Sequence, residues 1–233
     1  MIRRHTLFAL LTAGWLLNVG ITSTVLADVL VFGGTRGVGL ETVRHLRESG
    51  ETVTVMVRKT SDLTALNAID GVSTTIGDAM VPEEVVAAFA SGEFDAAVSS
   101  LGGTLETDVS VDSVGNINAI DGAKAAGVDR FILVSSIGAG DSRAGSPKGM
   151  LRVLGPVLVE KEKSERHLID SGLKWTIMRP GVLKDDPATG KGILTQDTSV
   201  LGMINRAELA RLIGDAIGNE ETFGRIYTAI EER

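Results

Sequence analysis

Short apolar runs alternate with stretches of helical periodicity from Asp28 almost to the end of the chain. Residues 28–34, DVLVFGG, form a continuous apolar run ending in glycines, the pattern of a strand covered on both faces. Residues 37–50 follow with Leu40, Val43 and Leu46 at helical spacing and Gly50 as the stop. Residues 51–58, ETVTVMVR, are β-branched and predict a second strand. The pattern then predicts a helix over 82–90, with Pro82 at a permitted first-turn position, and a strand over 94–103 that ends in glycine. A helix over 111–126, a buried strand over 130–138 and a charged amphipathic helix over 160–171 come next. A strand over 173–181, a helix over 206–218 and a strand over 225–230 complete the series. Such alternation makes βαβ units with right-handed crossovers. The chain is therefore expected in the α/β class: a single domain with a doubly wound parallel β-sheet and helices on both faces. Ligands bind such sheets at the carboxyl ends of the strands, where the strand order reverses.

The residues before Asp28 read differently. Arg3 and Arg4 form a basic start, and residues 7–17, LFALLTAGWLL, are apolar but too short to span a bilayer comfortably. Residues 22–27, TSTVLA, turn polar and then small, with Val25 and Ala27 placed as before a cleavage site. Residues 1–27 are thus expected to be a signal-peptide-like leader and residues 28–233 the folded domain. That implies an exported, periplasmic protein with no stable membrane span in the mature chain. The paired arginines also suit the twin-arginine route. A membrane anchor left uncleaved, or a cytoplasmic protein, are the alternatives.

Composition narrows the chemistry. The 233 residues carry 43% hydrophobic and 23% charged side chains, which suits one globular domain. Twenty-eight glycines and 4% aromatics fit many tight strand-to-helix turns. A net charge of −7 argues against nucleic acid as a partner. The absence of cysteine removes disulfides, thiolate zinc sites, iron–sulfur clusters and a cysteine nucleophile. His45 and His167 lack metal-ligand spacing and read as structural, and no metal is expected.

The most informative stretch is Gly33, Gly34, Thr35, Arg36, Gly37, Val38 and Gly39. It follows a buried strand and opens a helix, the context in which clustered glycines mean nucleotide binding. Gly33 permits a tight turn, Gly37 lets backbone approach a pyrophosphate, and Gly39 lets the helix pack closely. The helix amino end then offers free N–H groups to phosphate. An NAD site usually places an acid after the second strand. Here that place holds Arg58, Lys59, Thr60 and Ser61. Cations and hydroxyls attract a 2′-phosphate, and arginine can grip it in a forked geometry. NADP(H) is expected, with NAD(H) the less favoured cofactor.

The Gly-x-x-x-Gly-x-Gly spacing is similar to the loop of short-chain dehydrogenases/reductases. Further segments strengthen the likeness: Gly77-Asp78-Ala79; Gly115-Asn116-Ile117-Asn118 with Arg130-Phe131; Val134 to Gly138; and Lys161 through Glu165 and Trp175 to Arg179-Pro180-Gly181. Through them the chain from Asp28 nearly to its end resembles the atypical, NmrA-like members of that family, which implies a Rossmann-type fold. The resemblance implies that Asp78 and Ala79 form an adenine-side turn. It implies that Ser100, Leu101, Gly102 and Ser135 line the cofactor crevice. Lys161 is implied at the nicotinamide ribose, and Pro180, Gly181 and Val182 beside the nicotinamide.

The likeness breaks at catalysis. The family's ordinary branch uses Tyr-x-x-x-Lys, but Val157 stands four residues before Lys161 and the single tyrosine is Tyr227. Two kinds of function stay open. One is a reductase of a quinone- or flavin-like or other small acceptor, with Ser135 and Lys161 as candidate catalytic residues. The other is a non-catalytic, nucleotide-responsive sensor, scaffold or assembly factor with a protein partner. A sugar epimerase or dehydratase comes third. On sequence alone Lys161, in the run Glu160-Lys161-Glu162-Lys163, reads as part of a solvated helix face. Residues 151–159, LRVLGPVLV, are apolar enough to be a lid or an interaction surface. Asp185 and Asp186 read as a solvated turn that could border the pocket, and Trp175 as core.

Overall fold

The computed structural model describes residues 27–103 and 109–232. The expected leader lies outside the described residues, apart from Ala27. The Ala27 carbonyl accepts from Thr52 N at 3.1 Å, beside the first paired residues of the sheet, Asp28 and Thr52.

Eight strands form one sheet in the order β3-β2-β1-β4-β5-β6-β10-β8. They are β1 (Asp28–Phe32), β2 (Thr52–Val57), β3 (Val72–Ile76), β4 (Ala96–Ser99), β5 (Arg130–Val134), β6 (Lys174–Pro180), β8 (Gly192–Thr195) and β10 (Arg225–Glu231). All pair parallel except β10 with β8. A separate two-stranded parallel sheet joins β7 (Val182–Lys184) to β9 (Met203–Asn205).

Alternation along each buried strand divides the core in two. Val29 and Val31 of β1 face one layer, with Val53 and Val55 of β2 and Ile132 of β5. Helices α1 (Gly37–Glu48) and α5 (Arg206–Ile217) cover that side through Val43, Leu46, Leu209 and Ile213. Leu30 and Phe32 face the other layer, with Phe131 and Leu133 of β5. There α2 (Pro82–Phe89), α3 (Val114–Ala126) and α4 (Lys148–Asp170) contribute Val85, Phe89, Ile120 and Leu168. Burial on both faces explains why these strands read as unbroken apolar runs. Among the described residues no helix is long and apolar enough to cross a membrane.

The structure corrects several sequence expectations. Strands β3, β7, β8 and β9 gave no clear signal. β3 and β8 are the two edges of the main sheet, and β3 exposes much of its polar VSTTI sequence. The expected helix over 111–126 breaks: Val109–Asp112 is a 3₁₀ turn and α3 begins at Val114. The expected helix over 160–171 is the second half of a 23-residue α4, whose first half contains the apolar 151–159 stretch and Pro156.

A buried arginine joins three elements. Arg179 of β6 donates to Glu165 of α4 at 2.9 and 2.7 Å and also pairs with Asp141 of the 3₁₀ turn Gly140–Gly145. Burial works to lower the Arg179 pKa, but the Glu165 and Asp141 carboxylates outweigh it and raise it.

Candidate functional site

Strand β1 lies between β2 and β4, so successive connections leave it in opposite directions and a crevice opens at its carboxyl end. A cleft of about 880 Å³ occupies that position. Its wall runs from Arg58, Ser61 and Asp78, past Gly33, Thr35, Arg36, Gly37 and Val38, to Ser135, Lys161, Pro180 and Gly181.

The glycine turn is built by close backbone approaches. Gly33 has φ +78°, and a Cβ there would lie 2.8 Å from Ser100 O at the end of β4. A Cβ on Gly39 would lie 2.2 Å from Gly33 O, so the first turn of α1 rests directly on the strand exit. Gly37 has φ +56° and open space, its nearest neighbour being Arg206 Nε at 3.8 Å. No side chain caps the α1 amino end, so its first amides remain available to an anion.

At one end of the cleft Arg58 N donates to Ser61 Oγ at 3.1 Å, which brings the Ser61 side chain back over the strand exit. Asp78 Oδ1 accepts from Met80 N at 2.9 Å, and Asn118 Nδ2 donates to Ala79 O at 2.8 Å. These bonds fix the turn after β3. Among the described residues neither Arg36 nor Arg58 has an ion-pair partner. Both arginines line the cleft with their charges free of an ion pair.

At the other end Ser135 follows β5, and its N–H donates to Met178 O of β6 at 2.7 Å. Ser135 is 5% exposed, and its Oγ is buried without a hydrogen-bond partner. Lys161 Nζ lies 2.8 Å from Asp112 Oδ1; the carboxylate is fully buried and the lysine side chain 13% exposed. Asp112 Oδ2 accepts from Gly103 N at 2.8 Å. Asn116 braces this turn: its Nδ2 donates to Asp112 O at 3.0 Å, and its Oδ1 accepts from Ser99 Oγ at 2.5 Å. Lys161 is thus no part of a solvated face, in contrast to Lys163, which is 57% exposed.

Ser100, Leu101, Gly102 and Ala79 also line the cleft, whereas Gly34, Gly39, Lys59 and Val182 do not. Gly34 faces the core, where a Cβ would lie 2.7 Å from Val55 Cγ1. Val182 lies on β7 with its side chain toward solvent. Sequence reasoning missed Asp112, Ser136 and Arg206, all in the wall, and placed Asp185 in a turn that here reaches the cleft. Tyr227 is away from the wall, with its hydroxyl 3.4 Å from Glu221 O. His45 packs against Gly214, and His167 pairs with Asp121. Trp175 packs against the second core layer. Among the described residues no cluster of potential metal ligands occurs.

With this geometry in view, comparison with known proteins is direct. A family profile described as NAD(P)H-binding matches residues 33–220. Among solved structures the chain is similar to ChuY, an anaerobillin reductase from Escherichia coli O157:H7. The two share 32% identity and a TM-score of 0.79 over 88% of this chain and 97% of that one. Among curated proteins it is similar to the uncharacterized sugar epimerase YhfK of Bacillus subtilis, 28% identical over 206 residues, which cover 87% of this chain and 94% of that one. It is also 34% identical over 124 residues to sanguinarine reductase of Eschscholzia californica, across 50% of this chain and 44% of that protein. The chain spans less than half the length of several longer curated relatives, including 45% of a chloroplastic Arabidopsis thaliana protein. The chain belongs to the NAD(P)H-binding family of NmrA-like, atypical short-chain dehydrogenases/reductases.

Proposed function

We propose that the cleft holds NADP(H) and that the protein is an oxidoreductase of a small, quinone- or flavin-like acceptor, working without a tyrosine proton donor. The observation that carries this reading is the orphaned hydroxyl of Ser135. A buried hydroxyl without a partner costs about 1–3 kcal/mol, a cost a bound acceptor would remove. The cradle fits a dinucleotide: the uncapped α1 amino end suits bridging phosphates, and Arg36, Arg58 and Ser61 suit a 2′-phosphate. NADP(H), when bound, supplies hydride chemistry. Asp112 holds Lys161, whose remaining Nζ donors would serve ribose hydroxyls. Gly181 and Pro180, in the cleft wall, would border the nicotinamide. Ser135 Oγ offers a proton toward the acceptor, and water can replace the proton it gives. Similarity to two reductases supports the reaction class.

The test is NADPH oxidation, followed by absorbance, against a panel of quinones and flavins. Wild type is expected to turn over clearly above background. Ser135→Ala should lose about 10²–10⁴ in rate, the usual worth of a placed acid, with NADPH affinity within about twofold of wild type. Tight NADPH binding with no oxidation of any acceptor would instead favour the nucleotide-responsive sensor. That second reading draws on Val153 and Val159, which expose apolar side chains on α4 as a protein-binding surface would. For residues 1–27 we infer cleavage and export, which N-terminal sequencing of the purified protein checks; an intact Met1 would contradict it.

A further inference from the structure

Strands β7 and β9 run parallel with Lys184 opposite Asn205, so the next residue of each, Asp185 and Arg206, emerges at the same level. They meet as an ion pair, Arg206 Nη1 to Asp185 Oδ1 at 2.6 Å. Arg206 is also the first residue of α5, and its Nε stands 3.8 Å from where a Gly37 Cβ would be. The guanidinium therefore roofs the glycine turn, and both Asp185 and Arg206 line the cleft. The two partners differ in exposure: Asp185 is 87% exposed and Arg206 26%.

We propose that Arg206 is a clamp for the bridging phosphates and that Asp185 is the latch it leaves when the dinucleotide binds. The inference rests on the NADP(H) reading of the cleft. Among the described residues not adjacent in sequence, Arg206 alone comes within 4 Å of where a Cβ of Gly37, the residue expected to meet the pyrophosphate, would lie. An exposed ion pair is worth at most about fivefold in an equilibrium. A forked guanidinium–phosphate contact is worth roughly ten- to hundredfold. The exchange therefore runs toward phosphate, and the exposed Asp185 carboxylate returns to water at little cost. The pair with Asp185 already holds the arginine over the loop, so little side-chain freedom is lost when the phosphates bind.

The experiment is calorimetric titration of the full chain with NADPH, 2′-phospho-ADP-ribose and adenosine 2′-monophosphate. The first two carry bridging phosphates and the third does not. Arg206→Gln should weaken both diphosphate ligands roughly ten- to hundredfold and leave adenosine 2′-monophosphate unchanged. Arg206→Lys should fall between, because it keeps the charge without the fork. Asp185→Asn should tighten the diphosphate ligands by up to about fivefold, since it removes the competitor. Unchanged NADPH affinity in Arg206→Gln, or equal loss on all three ligands, would overturn the clamp. Weakened binding in Asp185→Asn would make the pair a structural brace instead. If wild type bound none of the three, the NADP(H) reading itself would fall, and the clamp with it.

Discussion

Substituting Gly39 by alanine tests how the phosphate loop is built. The added Cβ would lie 2.2 Å from Gly33 O, 2.8 Å from Gly33 C and 3.1 Å from Gly34 Cα. All three neighbours are backbone, so no rotamer change relieves the contact. The amino end of α1 must lift by about 1 Å, away from the strand exit it rests on. Overpacking of this kind costs about 1–3 kcal/mol, against which alanine recovers roughly 0.5–1 kcal/mol of helix propensity over glycine. A net loss of about 1–2 kcal/mol corresponds to a melting temperature lower by roughly 2–8 °C in a domain of this size. Gly37→Ala is the control. It meets only Arg206 Nε at 3.8 Å, and its cost is the left-handed backbone at φ +56°, about 1 kcal/mol. Thermal unfolding by circular dichroism, paired with NADPH titration, gives the comparison. Gly39→Ala should be the less stable of the two and should bind NADPH at least about tenfold more weakly, because the lifted helix carries the phosphate-facing amides. The packing argument is falsified if Gly39→Ala melts with the wild type and binds NADPH normally.

Three further outcomes follow from the same reasoning. Arg58→Gln should weaken NADPH roughly ten- to hundredfold in a fluorescence titration while NADH changes little; equal loss of both would remove Arg58 from the 2′-phosphate. Glu165→Gln removes the buried one of the two carboxylates on Arg179, leaving Asp141, and should cost about 1.5–3 kcal/mol in denaturant unfolding; a loss under about 1 kcal/mol would contradict the pairing. Glu208 gives a pH signature. Burial works to raise its pKa, but Arg211 and the amides of Gly190 and Gly192 outweigh it, so the folded value lies below the ordinary 4.5. A depressed carboxylate pKa stabilises the fold above the unfolded value, and that stability is lost as pH falls through the folded one. Glu208→Gln should therefore be less stable than wild type at neutral pH. The gap should close below the ordinary carboxylate range; a gap independent of pH would refute the assignment.

Much of the fold was legible because its signals are local. Strands β1 and β5 are unbroken apolar runs since helices cover both their faces, and the glycine turn between β1 and α1 is a contiguous motif. Edge strands gave no such signal: β3 is half polar because solvent meets it, and β8 pairs on one side only. Pro156 hid the first half of α4, since proline inside a helix reads as a break. The site divides in the same way. Gly33, Arg36 and Arg58 were readable from position after a strand. Asp112 was not, because a buried acid is defined by the Lys161 that reaches it from 49 positions away in sequence. Arg206 was hidden for a related reason: its place over Gly37 depends on the β7–β9 pairing, which the pattern of apolar residues did not reveal.

The crevice is proposed to grip a phosphorylated dinucleotide, with the glycine turn on its diphosphate and the unpaired Arg36 and Arg58 on its third phosphate. Isothermal calorimetry of the purified protein with NADPH and, separately, NADH tests it most directly. One-to-one binding of NADPH at least about tenfold tighter than NADH is the expected result. Equal affinity for the two would remove the arginines from the account, and heat from neither would contradict it altogether.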